Sequence, residues 1–351
     1  MLEADVLRAV QEHIPIRKEP FRAIAEELGS DEETVLSVLK NLKEKGIIRQ
    51  ISPIYDAKRA GYDSALVAFR VDRNRLEEVA DRVNHCPGVS HNYERDHTFN
   101  LWFTLTVPPD STLTLEEVVK KLSGGHAEDI LILRARRTFK IGVKLTFSSL
   151  YEKETPPEPY SEPEPASLTP LEKEVIKHTQ EDLPLIGRPF RPVAGRLGVE
   201  EDTLLGVLEG LKEKGVMRRF SAILRHRRAG YKANGLVVWR VPEDRIYKVG
   251  MFLASFKCVS HCYERTGWDY NLFSMVHGRS EEEVREFADH VSREAGINDF
   301  EVIFSKREFL KRRTKLFTED FYEWERRELG SHTYQGENSK GGGKALFEKR
   351  I

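Results

Sequence analysis

Cysteine is scarce in this sequence of 351 residues: Cys86, Cys258 and Cys262 are the full set, and no two of them form a CxxC pair. That scarcity argues against a disulfide scaffold, a structural zinc site or an iron–sulfur cluster. It fits a reducing cytoplasm, with each thiol serving as a small buried apolar group. A charge of one sign is missing too. The 56 Lys and Arg against 57 Asp and Glu leave a formal charge of −1, which gives no whole-molecule attraction to nucleic acid or to an anionic membrane. No apolar run approaches the ~20 residues of a membrane span, and Met1-Leu-Glu-Ala-Asp does not read as the opening of a signal peptide. What remains is a chain 39% hydrophobic and 32% charged, able to bury sizeable cores and long enough for two to four domains.

The stretch from Val89 to Leu105 reads as a β-hairpin, with an alternating strand, a polar turn near Asp96 to Phe99 and an apolar strand from Asn100. Alternation places His91, Tyr93 and Arg95 on one face, with His97 at the turn. A near-copy follows at Val259 to Phe273, where His261, Tyr263 and Arg265 share the same alternation. A proton carrier, an aromatic hydroxyl and a fixed cation, repeated on one strand face, mark a site more readily than a core.

Taken in order, residues 1–60 carry apolar positions at helical spacing, among them Val6, Val10, Ile24, Leu28, Val35, Leu39 and Leu42. These predict three short helices with a tight turn, a helix-turn-helix, followed by a β wing from Gly46 to Tyr55. Gly29 should close the second helix, and Ser30 with Glu33 should form a capping box on the third. The string from Leu28 to Ile48 resembles the winged helix of the Lrp/AsnC regulators. Residues 61–150 predict the order β-α-β-β-α-β: a strand at Ser64–Val71, a helix at Arg75–Asn84, the hairpin, a helix at Leu115–Leu122 and a last strand at Asp129–Phe139. This is the ferredoxin-like arrangement, and the fold class is α+β. Residues 151–170 alternate proline with glutamate and should form an extended, mobile linker. The pattern then repeats, with a second winged helix at 171–229 and a second ferredoxin-like domain at 230–329. Phe21 recurs as Phe190, Gly46 as Gly215 and His91 as His261. Two homologous halves on one tether should pack their sheets across a pseudo-two-fold axis. Residues 330–351 read as a disordered tail.

The third helix of each half, where a regulator would read DNA, is acidic at its start: Asp31, Glu32 and Glu33 in one, Glu200, Glu201 and Asp202 in the other. Such acids are repelled by phosphate and serve equally well as helix N-terminal charges, so DNA is not the expected partner. Basic residues gather elsewhere, in Arg225-His226-Arg227-Arg228. With the hairpin residues added, this makes a site of cations, imidazoles and aromatic walls. Arginine forks bind carboxylates bidentately. A planar ligand with many carboxylates and a central metal within reach of an imidazole would use all of these groups.

Here the resemblance becomes narrow. "SHNYERDHTFNLWFTL" in the first half resembles one subunit type of the sirohaem decarboxylase family, and "FSAILRHRRAGYKANGLVVW" with "SHCYERTGWDYNLFSMVHGR" resembles its partner type. The resemblance implies removal of two acetate carboxyls from sirohaem, giving 12,18-didecarboxysirohaem on a route to haem or haem d1. It further implies no organic cofactor and no intrinsic metal, since the iron arrives with the substrate. Two subunit types that usually pair would here be fused as an intramolecular pseudo-dimer, with further homo-oligomerisation left open. His91, His97 and His261 are then candidates for proton donation or iron contact, His97 being the choice for the acid and His226 an equal axial candidate. Tyr93 and Tyr263 would line the macrocycle or relay protons. Arg95, Arg225, Arg227 and Arg265 would clamp carboxylates, with His226 and Tyr270 also binding substrate. The first half lacks the Arg-His-Arg loop and the second lacks a counterpart of His97, so equivalent sites are not expected. A reading from another class is a ligand- or haem-responsive transcription regulator of the Lrp/AsnC type.

Overall fold

The computed structural model describes residues 2–142, 148–224 and 233–336. The first half begins with helices α1 (Leu2–Glu12), α2 (Pro20–Glu27) and α3 (Glu32–Glu44) and strand β1 (Ile48–Tyr55). Then come β2 (Asp63–Val71), α4 (Leu76–His85), β3 (Val89–Arg95), β4 (Leu101–Val107), α5 (Leu115–Ser123), β5 (Ala127–Leu133) and β6 (Ala135–Ile141). A short linker strand, β7 (Tyr160–Ser161), leads into the second half: α6 (Pro170–Thr179), α7 (Arg191–Leu197), α8 (Glu201–Glu213) and β8 (Met217–Leu224). Its sheet domain holds β9 (Ala233–Trp239), α9 (Ile246–Ala254), β10 (Val259–Arg265), β11 (Leu272–Gly278), α10 (Glu281–Ala295) and β12 (Phe300–Lys311), and α11 (Glu319–Gly336) follows. Among the described residues no helix is long and apolar enough to cross a membrane.

Side-chain parity explains the layers. On β2, Val67 and Phe69 enter the core under α4 and α5, while Leu66 and Ala68 face the opposite sheet. On β11, Leu272 and Val276 enter the core under α9 and α10, while Phe273 and Met275 face inward. Period-two alternation thus gives each sheet one helix-covered face and one face that the other half must cover. The resulting inner layer includes Trp102, Leu133, Leu236, Val238, Tyr270, Phe273 and Ile303.

The expected pairing across a pseudo-two-fold axis is present, and it is closer than two stacked sheets. Strand β12 pairs with β9 of its own half through Phe300–Phe304 and with β3 of the other half through Ser305–Lys311. The expected strand at Asp129–Phe139 behaves likewise: β5 pairs with β2, and after Arg134 the chain continues as β6 against β10. The two sheets are thereby joined in one ten-stranded order that begins at β5, and the β3 edge of the first half and the β10 edge of the second are both paired with a strand from across the boundary.

Three further expectations change. The cap of α3 is Asp31, not Ser30: its carboxylate accepts from Thr34 N at 2.8 Å, a stronger helix-start partner than a hydroxyl because it is charged. The β wing of each half is one strand, and β1 pairs with β8 across the halves, so both winged helices share a single core containing Val6, Leu39, Leu208 and Phe220. The tail expected from 330 is helical as far as Gly336, because α11 anchors Phe321 and Trp324 in the first half's core. The linker is extended, and it lies against the second sheet through Lys140–Glu154 at 2.7 Å, Lys257–Glu152 at 3.1 Å and the pairing of β7 with β6.

Candidate functional site

On β3, Asn92 is fully buried under α4, donating from Nδ2 to Ala80 O at 3.2 Å. His91, Tyr93 and Arg95 consequently face the other way, towards the second half. On β10, Cys262 is buried beneath α9, and His261, Tyr263 and Arg265 take the matching direction. The two triplets have nearly the same geometry. His91 stacks on Tyr93 at 6.3 Å between ring centres, and His261 on Tyr263 at 6.1 Å. The Arg95 guanidinium lies 5.6 Å from the Tyr93 ring centre and 5.9 Å from that of Trp102. The Arg265 guanidinium lies 4.7 Å from Tyr263 and 5.8 Å from Phe273.

Arg95 is buried and Arg265 half-buried on the inner side, and each donates from Nη1 to one carbonyl of a bridging strand, Arg95 to Ile303 O at 3.4 Å and Arg265 to Leu133 O at 2.9 Å. Their Nε atoms are buried without an acceptor. Among the described residues neither forms an ion pair with a carboxylate. Burial draws the Arg95 guanidinium down to about 10 and lowers Arg265 as well. Two desolvated cations without counter-charges are costly to maintain unless something anionic is meant to meet them.

Burial disfavours the charged form of the imidazoles. Burial lowers His91, with Lys311, its neighbour in the β3–β12 ladder, acting in the same direction. Burial also pushes His261 from 6.5 to about 4, helped by His277, Arg265 and His91. His277 is a site residue that reasoning from the sequence missed. Its own position is likewise about 4, from burial and Lys311. Parity could have found it: it lies two residues beyond Met275 on the inward face of β11. Tyr93 donates its hydroxyl to Glu308 at 3.1 Å. From the linker, Glu162 reaches Lys58 at 3.6 Å and acts electrostatically on Arg265 and Tyr263. With His261 and His277 kept below their ordinary value, the unfolded chain binds protons that the folded chain refuses between pH 6.5 and about 4. Stability is therefore expected to fall as pH drops through that window. Urea midpoints across it, with His261→Asn showing a shallower decline, are the measurement.

His97 and Tyr270 make contacts of another kind. About 13 Å of strand, at ~3.3 Å per residue, separates His91 from Arg95, and His97 lies beyond Arg95. Its Nδ1 accepts from Phe99 N at 3.0 Å, and its Nε2 meets the Glu301 carboxylate at 3.0 Å. Its ring is enclosed by Phe99, Trp102 and Trp268. Tyr270 donates to the other oxygen of the same Glu301 at 3.0 Å. The structure thus joins His97, Tyr270, Glu301 and Trp268 into one cluster linked to the arginine site through Trp102; neither Glu301 nor Trp268 was singled out from sequence. Arg225, His226 and Arg227 lie outside the described residues.

Three of the six acids expected to disfavour DNA are engaged within the fold. Asp31 caps α3, Glu201 pairs with Arg188, and Asp202 pairs with Lys18 at 2.8 Å across the halves.

Comparison with known proteins agrees with this arrangement. Residues 59–140 and 228–310 match the AsnC-like ligand binding domain. Residues 3–49 and 172–218 match the siroheme decarboxylase NirDL-like HTH domain. The siroheme decarboxylase of Hydrogenobacter thermophilus is 50% identical over 326 residues, 91% of this chain and 96% of that protein. The siroheme decarboxylase beta subunit of Methanosarcina barkeri is 39% identical and spans 40% of this chain while using 95% of its own length, about one of the two halves. A crystal structure of the siroheme decarboxylase NirDL in co-complex with an iron-uroporphyrin III analogue superposes with a TM-score of 0.80 at 44% identity, covering 94% of this chain and 99% of that one. On identity, coverage and repeated domain order, the chain belongs to the siroheme decarboxylase family, with both subunit-like halves in one polypeptide.

Proposed function

We infer that this chain decarboxylates acetate side chains of sirohaem, yielding 12,18-didecarboxysirohaem, in a pocket formed by the β3 and β10 hairpins. The observation that carries the reading is the pair Arg95, buried, and Arg265, half-buried with its Nε enclosed, each set against aromatic rings with no carboxylate partner among the described residues. A macrocycle bearing many carboxylates supplies the missing counter-charge, and its flat face suits the Tyr93 and Tyr263 walls. Bidentate guanidinium–carboxylate contacts then fix the arms that react.

The chemistry asks little else of the protein. As the bond to the carboxylate breaks, CO₂ leaves and its electron pair stays on the ring-bound carbon, where the conjugated macrocycle spreads the charge. An imidazole proton completes the new C–H bond, so no organic cofactor is required and the only iron is the substrate's. His261 and His91 are the proton carriers in this reading. Bound carboxylates raise an imidazole that burial has lowered, which brings it towards the working range of a general acid. His97, the acid expected from sequence, supports the site instead by holding Glu301 and Trp268 against Trp102. We place the reaction in the cytoplasm, in keeping with three buried unpaired cysteines, and read the winged helices as framework rather than DNA readers, since Asp31 caps its own helix and Glu201 and Asp202 are tied up in ion pairs.

Incubating the purified chain anaerobically with sirohaem is expected to give successive mass losses of two CO₂. No loss, together with tight sequence-specific DNA binding, would favour the regulator reading instead.

A further inference from the structure

Three neighbouring strands of the second half build a hydrogen-bonded chain that the reaction as described does not use. Asn234 on β9 stands opposite His277 on β11. Its Oδ1 lies 2.7 Å from His277 Nδ1. His277 Nε2 lies 2.7 Å from Ser260 Oγ. Ser260 Oγ in turn lies 2.8 Å from His261 Nδ1 on β10. We propose that His277, acting through Ser260, is a positioning residue that holds His261 as its Nδ1–H tautomer, so that Nε2 alone carries the catalytic proton.

The direction of the chain follows from its far end. An amide oxygen only accepts, so the hydrogen of neutral His277 sits on Nδ1 and its Nε2 has a lone pair. That lone pair takes the Ser260 hydroxyl hydrogen, and Ser260 Oγ is left to accept from His261 Nδ1–H. The same bond persists when His261 is protonated, because Nδ1 remains a donor in both states and only Nε2 gains or loses hydrogen. This is the division of labour of an oriented catalytic histidine. The charged and titratable groups acting on the pair are Lys311 on β12, Arg265 beside His261, and His91 from the facing half. In each turnover the carbon–carboxylate bond breaks, CO₂ departs, the electron pair takes the Nε2 proton of His261, and the imidazole regains one proton from solvent.

The first half lacks this hold. Ser90 Oγ reaches His91 Nδ1 at 2.9 Å, but Thr106 stands where the second half has His277 and Ser64 where it has Asn234, the two hydroxyls meeting at 3.3 Å. A hydroxyl donates or accepts with equal ease and imposes no direction. The two histidines are therefore unequal, with His261 the one set for proton transfer.

The proposal rests on the decarboxylase reading, and its test keeps the two apart. His277→Thr, which copies the first half, is expected to lower kcat by about 10- to 100-fold, the usual penalty for losing an orienting partner, with sirohaem affinity nearly unchanged. His277→Gln, whose amide oxygen still accepts from Ser260, should recover most of the rate. Imidazole nitrogen NMR of the substrate-free protein should show His261 passing from predominantly Nδ1–H to a tautomer mixture in His277→Thr. Parental kcat in His277→Thr with an unchanged tautomer would overturn the proposal, as would a loss that His277→Gln does not relieve. Absence of CO₂ release from the parent chain would instead overturn the decarboxylase reading, with the tautomer measurement still deciding the role of His277.

Discussion

Arg265→Met is expected to leave the protein at least as stable as the parent while weakening sirohaem binding by about one to two orders of magnitude, the range for a lost charge-assisted hydrogen bond. Arg265 lies behind Tyr263 and Phe273 with one carbonyl partner and an unsatisfied Nε. An arginine retained for stability would have a carboxylate, and removing it would strand that acid. Here removal strands only the Leu133 carbonyl and relieves the burial of an uncompensated cation, which an apolar side chain of similar length replaces well. Denaturant midpoints and sirohaem titration monitored by absorbance read the two effects separately. A clear fall in stability with undiminished binding would show that the guanidinium is structural. Arg95 has the same surroundings in the first half and is expected to behave in the same way.

Trp324→Ala is expected to destabilise the whole molecule by about 3–5 kcal/mol, the range for emptying a buried tryptophan site. Trp324 is 4% exposed and sits with Phe321 among first-half residues such as Leu76, Val83 and Leu115. The same helix fixes the loop before α5: Glu325 accepts from Ser111 Oγ at 2.6 Å and Leu113 N at 3.0 Å. A substitution near the C-terminus should therefore loosen a sheet domain more than 200 residues away in sequence. Hydrogen exchange should show lost protection across β2, β3 and β4, beyond α11 itself. A protease nick in the linker, by contrast, should leave both halves together, because β12, β6 and the β1–β8 ribbon cross between them. Separation of the halves after a single cut, or a Trp324→Ala penalty below about 1 kcal/mol, would contradict this account of the interlock.

Much of the architecture was legible because it is written at short range. Helical spacing in residues 1–60, the repeat that carries His91 onto His261 and the alternation of the two hairpins are local patterns that survive without tertiary information. They were enough to place His91, Tyr93 and Arg95 on one face, with His261, Tyr263 and Arg265 matching them; the arginines pointed to a carboxylate-rich ligand, and the family resemblance identified it as sirohaem.

What the tertiary structure alone decided is which distant strand each segment meets. Nothing in the residues 300–311 announces that the segment changes partner at Ser305, and nothing in the acidic start of α11 announces that its aromatic residues complete the other half's core. The wing strands likewise gave no sign that they would pair with each other. The histidines divide along the same line. His97 stood out in sequence, yet Glu301, more than 200 residues away, commits its Nε2, whereas His277 stood alone in an apolar strand and acquires a role only through Ser260 and Asn234 on adjacent strands. Side-chain direction has a period of two and can be read from a few residues. The identity of the hydrogen-bond partner depends on strand register across the sheet, which only the folded chain sets.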